Sequence, residues 1–152
     1  MKRENVVALA HALTGVAVMI ISFYVKTDFL VSIDILKPLG FTIFVLGMVL
    51  LTFSVASLRK AFLGNVEPVT GQLVTSGPYK LIRHPVYLGM VISIFGLALG
   101  MKSLWGMISA IVIFVPLGMY RAKLEEKALA AAFGDEWHQY IRRTFFMFPP
   151  VY

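Results

Sequence analysis

Tyr79, Lys80, Arg83, His84 and Tyr87 fall within one short stretch, Leu73 to Gly89, a polar and cationic island between long apolar segments. Gly77-Pro78 is a turn dipeptide, and Pro85 biases His84 away from the helical region while suiting the first turn of a new helix. The backbone therefore cannot pass through as one helix, and five polar side chains gather on one loop. On composition alone, such a loop sets its cations against lipid phosphates. A second group, Arg121, Glu125 and Glu126, follows a long apolar run. Arg121 and Glu125 are four apart and share a helical face; an exposed pair of this kind stabilises a helix only slightly. A cation and a carboxylate at the hydrocarbon boundary, beside a proline-broken loop, suit a ligand that is part charged and part lipid.

The elements that must hold these residues are set by composition. Hydrophobic residues make up 59% of the 152, and charged residues only 14%, about half the usual globular share. Mean hydropathy is +0.81. These values predict an all-α integral membrane protein with about four transmembrane helices, a cytosolic loop and C-terminal amphipathic helices. There are no cysteines, which excludes thiol nucleophiles, disulfides and Cys-based metal sites. The net charge of +6 sits at segment ends, where it reports topology and anionic headgroups rather than nucleic acid.

Taken in order, the apolar spans are about Val6 to Val25, Leu39 to Leu58, Pro85 to Gly100 and Leu104 to Tyr120. The first is expected to be a retained transmembrane helix. His11 lies inside it with no ionisable partner in the segment, which predicts a helix-packing hydrogen bonder and no place in the site. Pro38 is expected in the first turn of the second helix. From Ala61 to His84 the chain is broken too often by Gly, Asn and Pro for a long helix, and its part from Gly71 to His84 is expected to be mobile until a cofactor orders it. The last two spans are joined by Met101-Lys102-Ser103 and must form a tight hairpin, and Gly96 and Gly100 form a G-x-x-x-G face for close helix approach, whose plainer reading is ordinary hairpin packing. Beyond Tyr120, Leu124, Ala128, Leu129, Ala132 and Phe133 form an apolar stripe on a helix that leaves the bilayer. Gly134 is expected to cap it, and Asp135 to open a short helix reaching Arg143. The aromatic, proline-broken end, Phe145 to Tyr152, is expected at the membrane interface. Eleven of the fourteen Lys and Arg lie before the first span, between the second and third, and after the fourth. The positive-inside rule then places both termini, the central loop and the C-terminal helices in the cytosol, on one face.

On that face the order of residues is specific. Leu-Val-Thr-Ser-Gly-x-Tyr-x-x-x-Arg-His-Pro-x-Tyr-x-Gly from Leu73 to Gly89, a hairpin, then Arg121-x-x-x-Glu125-Glu126 and Phe133-Gly134-x-x-Trp137-x-x-Tyr140, resembles the isoprenylcysteine carboxyl methyltransferase family. The related phospholipid N-methyltransferases share its general plan. The resemblance runs from about Gly71 to Pro149. It implies that S-adenosylmethionine is held by the loop and by the helix after the hairpin, while a prenyl tail enters from the bilayer. It implies a cofactor pocket lined by Gly71, Gln72, Leu73, Val74, Tyr79, His84, Pro85, Val86, Tyr87 and Glu125, with Arg121 beside the substrate carboxylate as the catalytic and substrate-binding residue. Gly71 departs from the polar residue often found at its position, and only two spans precede the loop.

These expectations fit the chemistry of the residue types. A carboxylate is already ionised near neutral pH, so methyl transfer to it needs alignment rather than a base. Arg121 can hold such an acceptor by charge-assisted hydrogen bonds. An amine acceptor, as in an ethanolamine phospholipid, needs a base or carboxylate beside its nitrogen. The absence of a Gly-rich βαβ fingerprint excludes a Rossmann-type methyltransferase. A small four-span transporter or scaffold is the alternative of another class, and the lack of ionisable residues near mid-membrane speaks against it. The expected organisation is a single membrane-embedded domain over 1–152: two spans in 1–60, a cytosolic cofactor loop in 61–84, a helical hairpin in 85–120 and cofactor and substrate helices in 121–152. The expected partners are membrane lipids and a lipid-like substrate entering from the bilayer.

Overall fold

Helix runs wherever the apolar segments run, and the breaks fall at the prolines, glycines and polar turns. The computed structural model describes residues 3–27, 32–58 and 73–149; Gly71 and Gln72 of the expected pocket lie outside them. Five α-helices follow in order: α1 Arg3–Tyr24, α2 Ile33–Leu58, α3 Pro85–Gly100, α4 Leu104–Phe133 and α5 Asp135–Ile141. A 3-10 turn, Gly77–Lys80, precedes α3. Among the described residues there is no strand, only one isolated parallel bridge between Ile82 and Phe145. α1, α2 and α4 are long and apolar enough to cross a membrane, and α3 is a shorter apolar helix. The outward faces of α1 and α2 carry exposed Leu9, Leu13, Ile20, Phe41, Leu46, Val49 and Phe53, as expected of surfaces that meet lipid. The chain is an all-α integral membrane protein.

Three departures from the sequence reading have local causes. α2 begins at Ile33, five residues before Pro38, because the Ser32 hydroxyl accepts from the Asp34 amide at 3.2 Å and starts the helix there. Gly96 and Gly100 pack α3 against α2 rather than against its hairpin partner: a Cβ on Gly96 would strike the α2 backbone at Phe44 and Gly40, and one on Gly47 would lie 2.5 Å from the Ser93 amide. α4 is continuous across Tyr120 instead of ending there. Its 30 residues span about 45 Å, longer than the ~30 Å hydrocarbon core, so the charged part from Arg121 onward projects beyond the apolar part.

Within α4, residues Ala110–Phe114 form a π turn. Pro116 has no N–H to give the Val112 carbonyl, and the ladder shifts so that the Val115 amide reaches the Ala110 carbonyl. The hairpin turn is pinned at the opposite end by Ser103, whose hydroxyl accepts from Gly106 N at 3.1 Å and donates to the Val25 carbonyl at 2.6 Å. That bond ties the end of α1 to the start of α4.

Candidate functional site

The loop before α3 is held by the C-terminal tail. Arg83 N donates to Phe145 O at 2.8 Å, Phe145 N to Leu81 O at 2.9 Å, and His84 N to Phe146 O at 3.1 Å. Tyr140 on α5 donates its hydroxyl to the Tyr79 carbonyl at 2.7 Å. Gly77, with φ +60°, turns the chain where a Cβ would run into Ser57 on α2. The described part of the loop, expected to lack structure of its own, is therefore stapled to α2 on one side and to the tail on the other. The tail in turn is a wall of the site: Thr144, Phe146 and Met147 are buried. Asp135 is the first helical residue of α5 instead of its cap, and the chain turns at Gly134 with φ +51°.

Arg83 is the centre of this staple. Although cationic, it is only 9% exposed. Its Nε donates to Glu126 Oε1 at 2.7 Å, and its Nη1 donates to the carbonyls of Thr144 at 2.5 Å and Ile141 at 3.2 Å. The guanidinium also lies 5.7 Å from the Phe146 ring centre. Glu126 thus links α4 to the loop and, through Arg83, to the tail. Burial pushes the Glu126 carboxyl up, but His84 and Arg83, by hydrogen bonding and by charge, outweigh it and hold it below the usual carboxylate range.

Glu125 faces another way. It accepts the Tyr87 hydroxyl and stands 3.6 Å from Arg121 Nε. His84 sits between the two acids, with Nδ1 3.8 Å from Glu125 Oε2 and Nε2 3.4 Å from Glu126 Oε1. The Arg121 guanidinium lies 5.7 Å from the Tyr87 ring centre. Burial pushes the Glu125 carboxyl above the usual range, against the opposing pull of His84, Tyr87 and Arg121. Burial likewise raises Tyr79, with Tyr140 and Glu125 adding to it, so its phenol stays protonated.

The structure thus brings together Tyr79, His84, Tyr87, Arg121 and Glu125 of the expected site. Pro85 and Val86 are buried in the first turn of α3, and Leu73 and Val74 lie half-buried on the approach to the 3-10 turn. Three further groups border the site: Glu126 with Arg83, both noted in the sequence but not as a clamp, the Phe145-Phe146 segment of the tail, and His11. His11 is buried, stacks on Phe114 at 4.4 Å between ring centres, and lies 5.7 Å from the Tyr87 ring. A lone imidazole in an apolar span was the available signal for it.

The donor set suits S-adenosylmethionine. The Glu125 carboxyl can balance a cationic group, and acids also take ribose hydroxyls. No cluster of three or more His, Asp or Glu able to hold a metal ion occurs among the described residues.

Comparison with known proteins agrees in part with the motif reading. Over 79 residues the chain is 42% identical to the cobalt-zinc-cadmium resistance protein CzcN of Cupriavidus metallidurans, covering 51% of this chain and 35% of that protein. Over 73 residues it is 34% identical to methanethiol S-methyltransferase 1 of Bradyrhizobium diazoefficiens, covering 47% of this chain and 24% of that one. The matched part is therefore about a third and about a quarter of these relatives' length. The phospholipid methyltransferase family model matches residues 36–136, from α2 into α5, taking in the loop, α3 and the acidic turn of α4. With more than half of the chain matched, and the Leu73–Gly89 and Arg121-x-x-x-Glu125-Glu126 motifs inside the match, the protein belongs to the phospholipid methyltransferase family.

Proposed function

We propose that this protein is an S-adenosylmethionine-dependent methyltransferase acting on a membrane-borne acceptor with a carboxylate head, of the isoprenylcysteine class. The observation that carries the reading is the Tyr87, Arg121 and Glu125 cluster, set where α4 passes from its apolar part to its charged part. A ligand bound there meets charge at one end and apolar helix faces at the other. Residues 1–152 act as one membrane-embedded domain, with both termini and the site facing the cytosol, which supplies the cofactor, while the acceptor arrives through the bilayer.

When bound, S-adenosylmethionine supplies a methyl group on a sulfonium, ready for in-line displacement. Glu125, fixed by the Tyr87 hydroxyl, balances a cationic portion of the cofactor or takes its ribose hydroxyls. His84 separates the two acids so that Glu126 stays with Arg83. Arg121 anchors the acceptor carboxylate beside the Tyr87 ring. Because that carboxylate is already ionised, the side chains need only orient it and exclude water.

The family's description and Glu125 favour a second reading, methylation of the amine of an ethanolamine phospholipid, where a carboxylate beside the nitrogen would take its proton. The experiment is calorimetric titration of the purified chain in detergent with S-adenosylmethionine. Transfer of labelled methyl to a farnesylcysteine analogue, a phosphatidylethanolamine and an alkyl thiol follows. Cofactor binding and labelling of the carboxylate are expected. Absence of cofactor binding would sink methyl transfer altogether, and labelling of the amine alone would select the second reading.

A further inference from the structure

Four buried hydroxyls satisfy themselves locally. Ser22 donates to the Val18 carbonyl at 2.7 Å, Ser54 to Leu50 at 2.6 Å, Ser93 to Gly89 at 2.8 Å and Thr144 to Tyr140 at 2.8 Å. His11 does not follow this pattern. It is 3% exposed, and its Nε2 has no hydrogen-bond partner among the described residues. Leaving a buried polar atom unmet is costly, and an imidazole in an apolar span gains nothing in packing that a phenyl ring would not supply. Nε2 lies against Gly118, where a Cβ would come within 3.0 Å of it, so only glycine lets the imidazole sit this close to α4.

Gly118 lies three residues before Arg121 on α4, and His11 and Arg121 both border the Tyr87 ring, each 5.7 Å from it. We propose that His11 is the membrane-side anchor of the methyl acceptor, its Nε2–H donating to one oxygen of the acceptor carboxylate while Arg121 holds the other. A carboxylate offers about four acceptor positions, and a buried one needs several donors. Arg121 is already shared with Glu125 and the Tyr87 ring, so a second donor is called for. His11 is the further donor that the fold places beside α4, against Gly118 and one helical turn from Arg121. The inference rests on the methyl-transfer reading above and adds the residue that sets how deep the acceptor head sits.

The test needs no turnover. The full chain in detergent is titrated, without cofactor, with a farnesylcysteine analogue bearing a free carboxylate and with its amide, following thermal unfolding. Wild type is expected to be stabilised by the carboxylate and far less by the amide. His11→Phe keeps a flat ring on Phe114 and should melt no lower than wild type, but should bind the carboxylate about ten- to hundredfold more weakly. Its S-adenosylmethionine affinity should stay within about twofold of wild type, and His11→Gln should recover part of the loss. Gly118→Ala, which sets a methyl 3.0 Å from Nε2 and displaces the imidazole, should weaken the carboxylate in the same way and serves if His11→Phe does not fold. Wild-type affinity for the carboxylate in both His11→Phe and Gly118→Ala overturns the proposal, as does failure of wild type to tell carboxylate from amide. Absence of S-adenosylmethionine binding by wild type would instead sink the methyl-transfer reading, and the acceptor titration would still decide His11.

Discussion

Replacing Arg83 by alanine tests whether the site is built by the clamp described above. The substitution leaves Glu126 without its 2.7 Å donor and the carbonyls of Thr144 and Ile141 without theirs. Removing one partner of a buried ion pair costs about 3–5 kcal/mol. The Arg83 side chain is 6% exposed but Glu126 is 23% exposed, so water reaches the orphaned carboxylate and moves this cost to the lower end. The buried Thr144 carbonyl adds about 1 kcal/mol. A loss of about 3–4 kcal/mol is expected, felt as release of the tail and α5 rather than as dispersal of the spans. Trp137 on α5 is buried and reports on this region by fluorescence, and limited proteolysis after Ile141 reports on the tail. S-adenosylmethionine affinity should fall with it, since His84 is hydrogen-bonded to the same tail. Arg83→Lys should be intermediate, because a single ammonium cannot reproduce three directed donors. The pair Arg83→Ala with Glu126→Ala should recover part of the loss, as no unpaired charge remains. A tail as protected from protease in Arg83→Ala as in wild type, with unfolding changed by less than about 1 kcal/mol, would refute the clamp.

Glu125→Gln is expected to weaken S-adenosylmethionine binding by about 1–3 kcal/mol in calorimetric titration, with thermal stability held. Arg121→Ala should keep cofactor affinity and lose turnover of a carboxylate acceptor, with Arg121→Lys rescuing poorly; normal turnover would remove it from the acceptor site. Gly47→Leu should separate α2 from α3, because its Cβ would lie 2.5 Å from Ser93 N, and a chain that still elutes folded at wild-type yield would contradict that packing. For pH, Glu126 lies below the ordinary carboxylate range, so its contribution to stability is complete above that range and is lost as pH falls through its lowered value. Acid unfolding of the tail should therefore become shallower in Glu126→Gln than in wild type, and an unchanged profile would count against the Arg83 partnership.

The helical membrane class was legible because it rests on hydrophobic run length, which composition carries directly. The loop position was legible because Gly77-Pro78 and Pro85 break the backbone wherever they occur. Other features rest on non-local contacts that no spacing reveals. Pro38 looked like a first-turn residue, but the Ser32 hydroxyl captured the Asp34 amide and began the helix earlier. The Gly96-x-x-x-Gly100 pair advertised a close helix approach without naming the partner, which is α2, with Gly40 and Gly47 in register. The aromatic tail read as an interface anchor because Phe is common there. Its folding back depends on Arg83 finding two carbonyls some sixty positions away in sequence.

The two adjacent acids show how one helix serves both fold and chemistry. Neighbours in sequence point about 100° apart around a helix, so Glu125 and Glu126 share only His84, which sits between them, and otherwise face different partners. Glu126 turns to Arg83 and fixes the tail; Glu125 turns to Tyr87 and Arg121. Phe114, Gly118, Arg121 and Glu125 follow one stripe of α4, about 16 Å from first to last. The stripe passes from a ring stacked on His11, through Gly118 against the same imidazole, to a cation and then a carboxylate. The π turn at Ala110–Phe114, imposed by Pro116, sets the phase of that stripe against the preceding turns. Moving the proline should therefore rotate His11's stacking partner away from it without touching any charged residue. Pro116→Ala is expected to remove the π turn and to impair the acceptor while sparing the cofactor. Equal loss of both in that variant would show that the turn only holds the helix together.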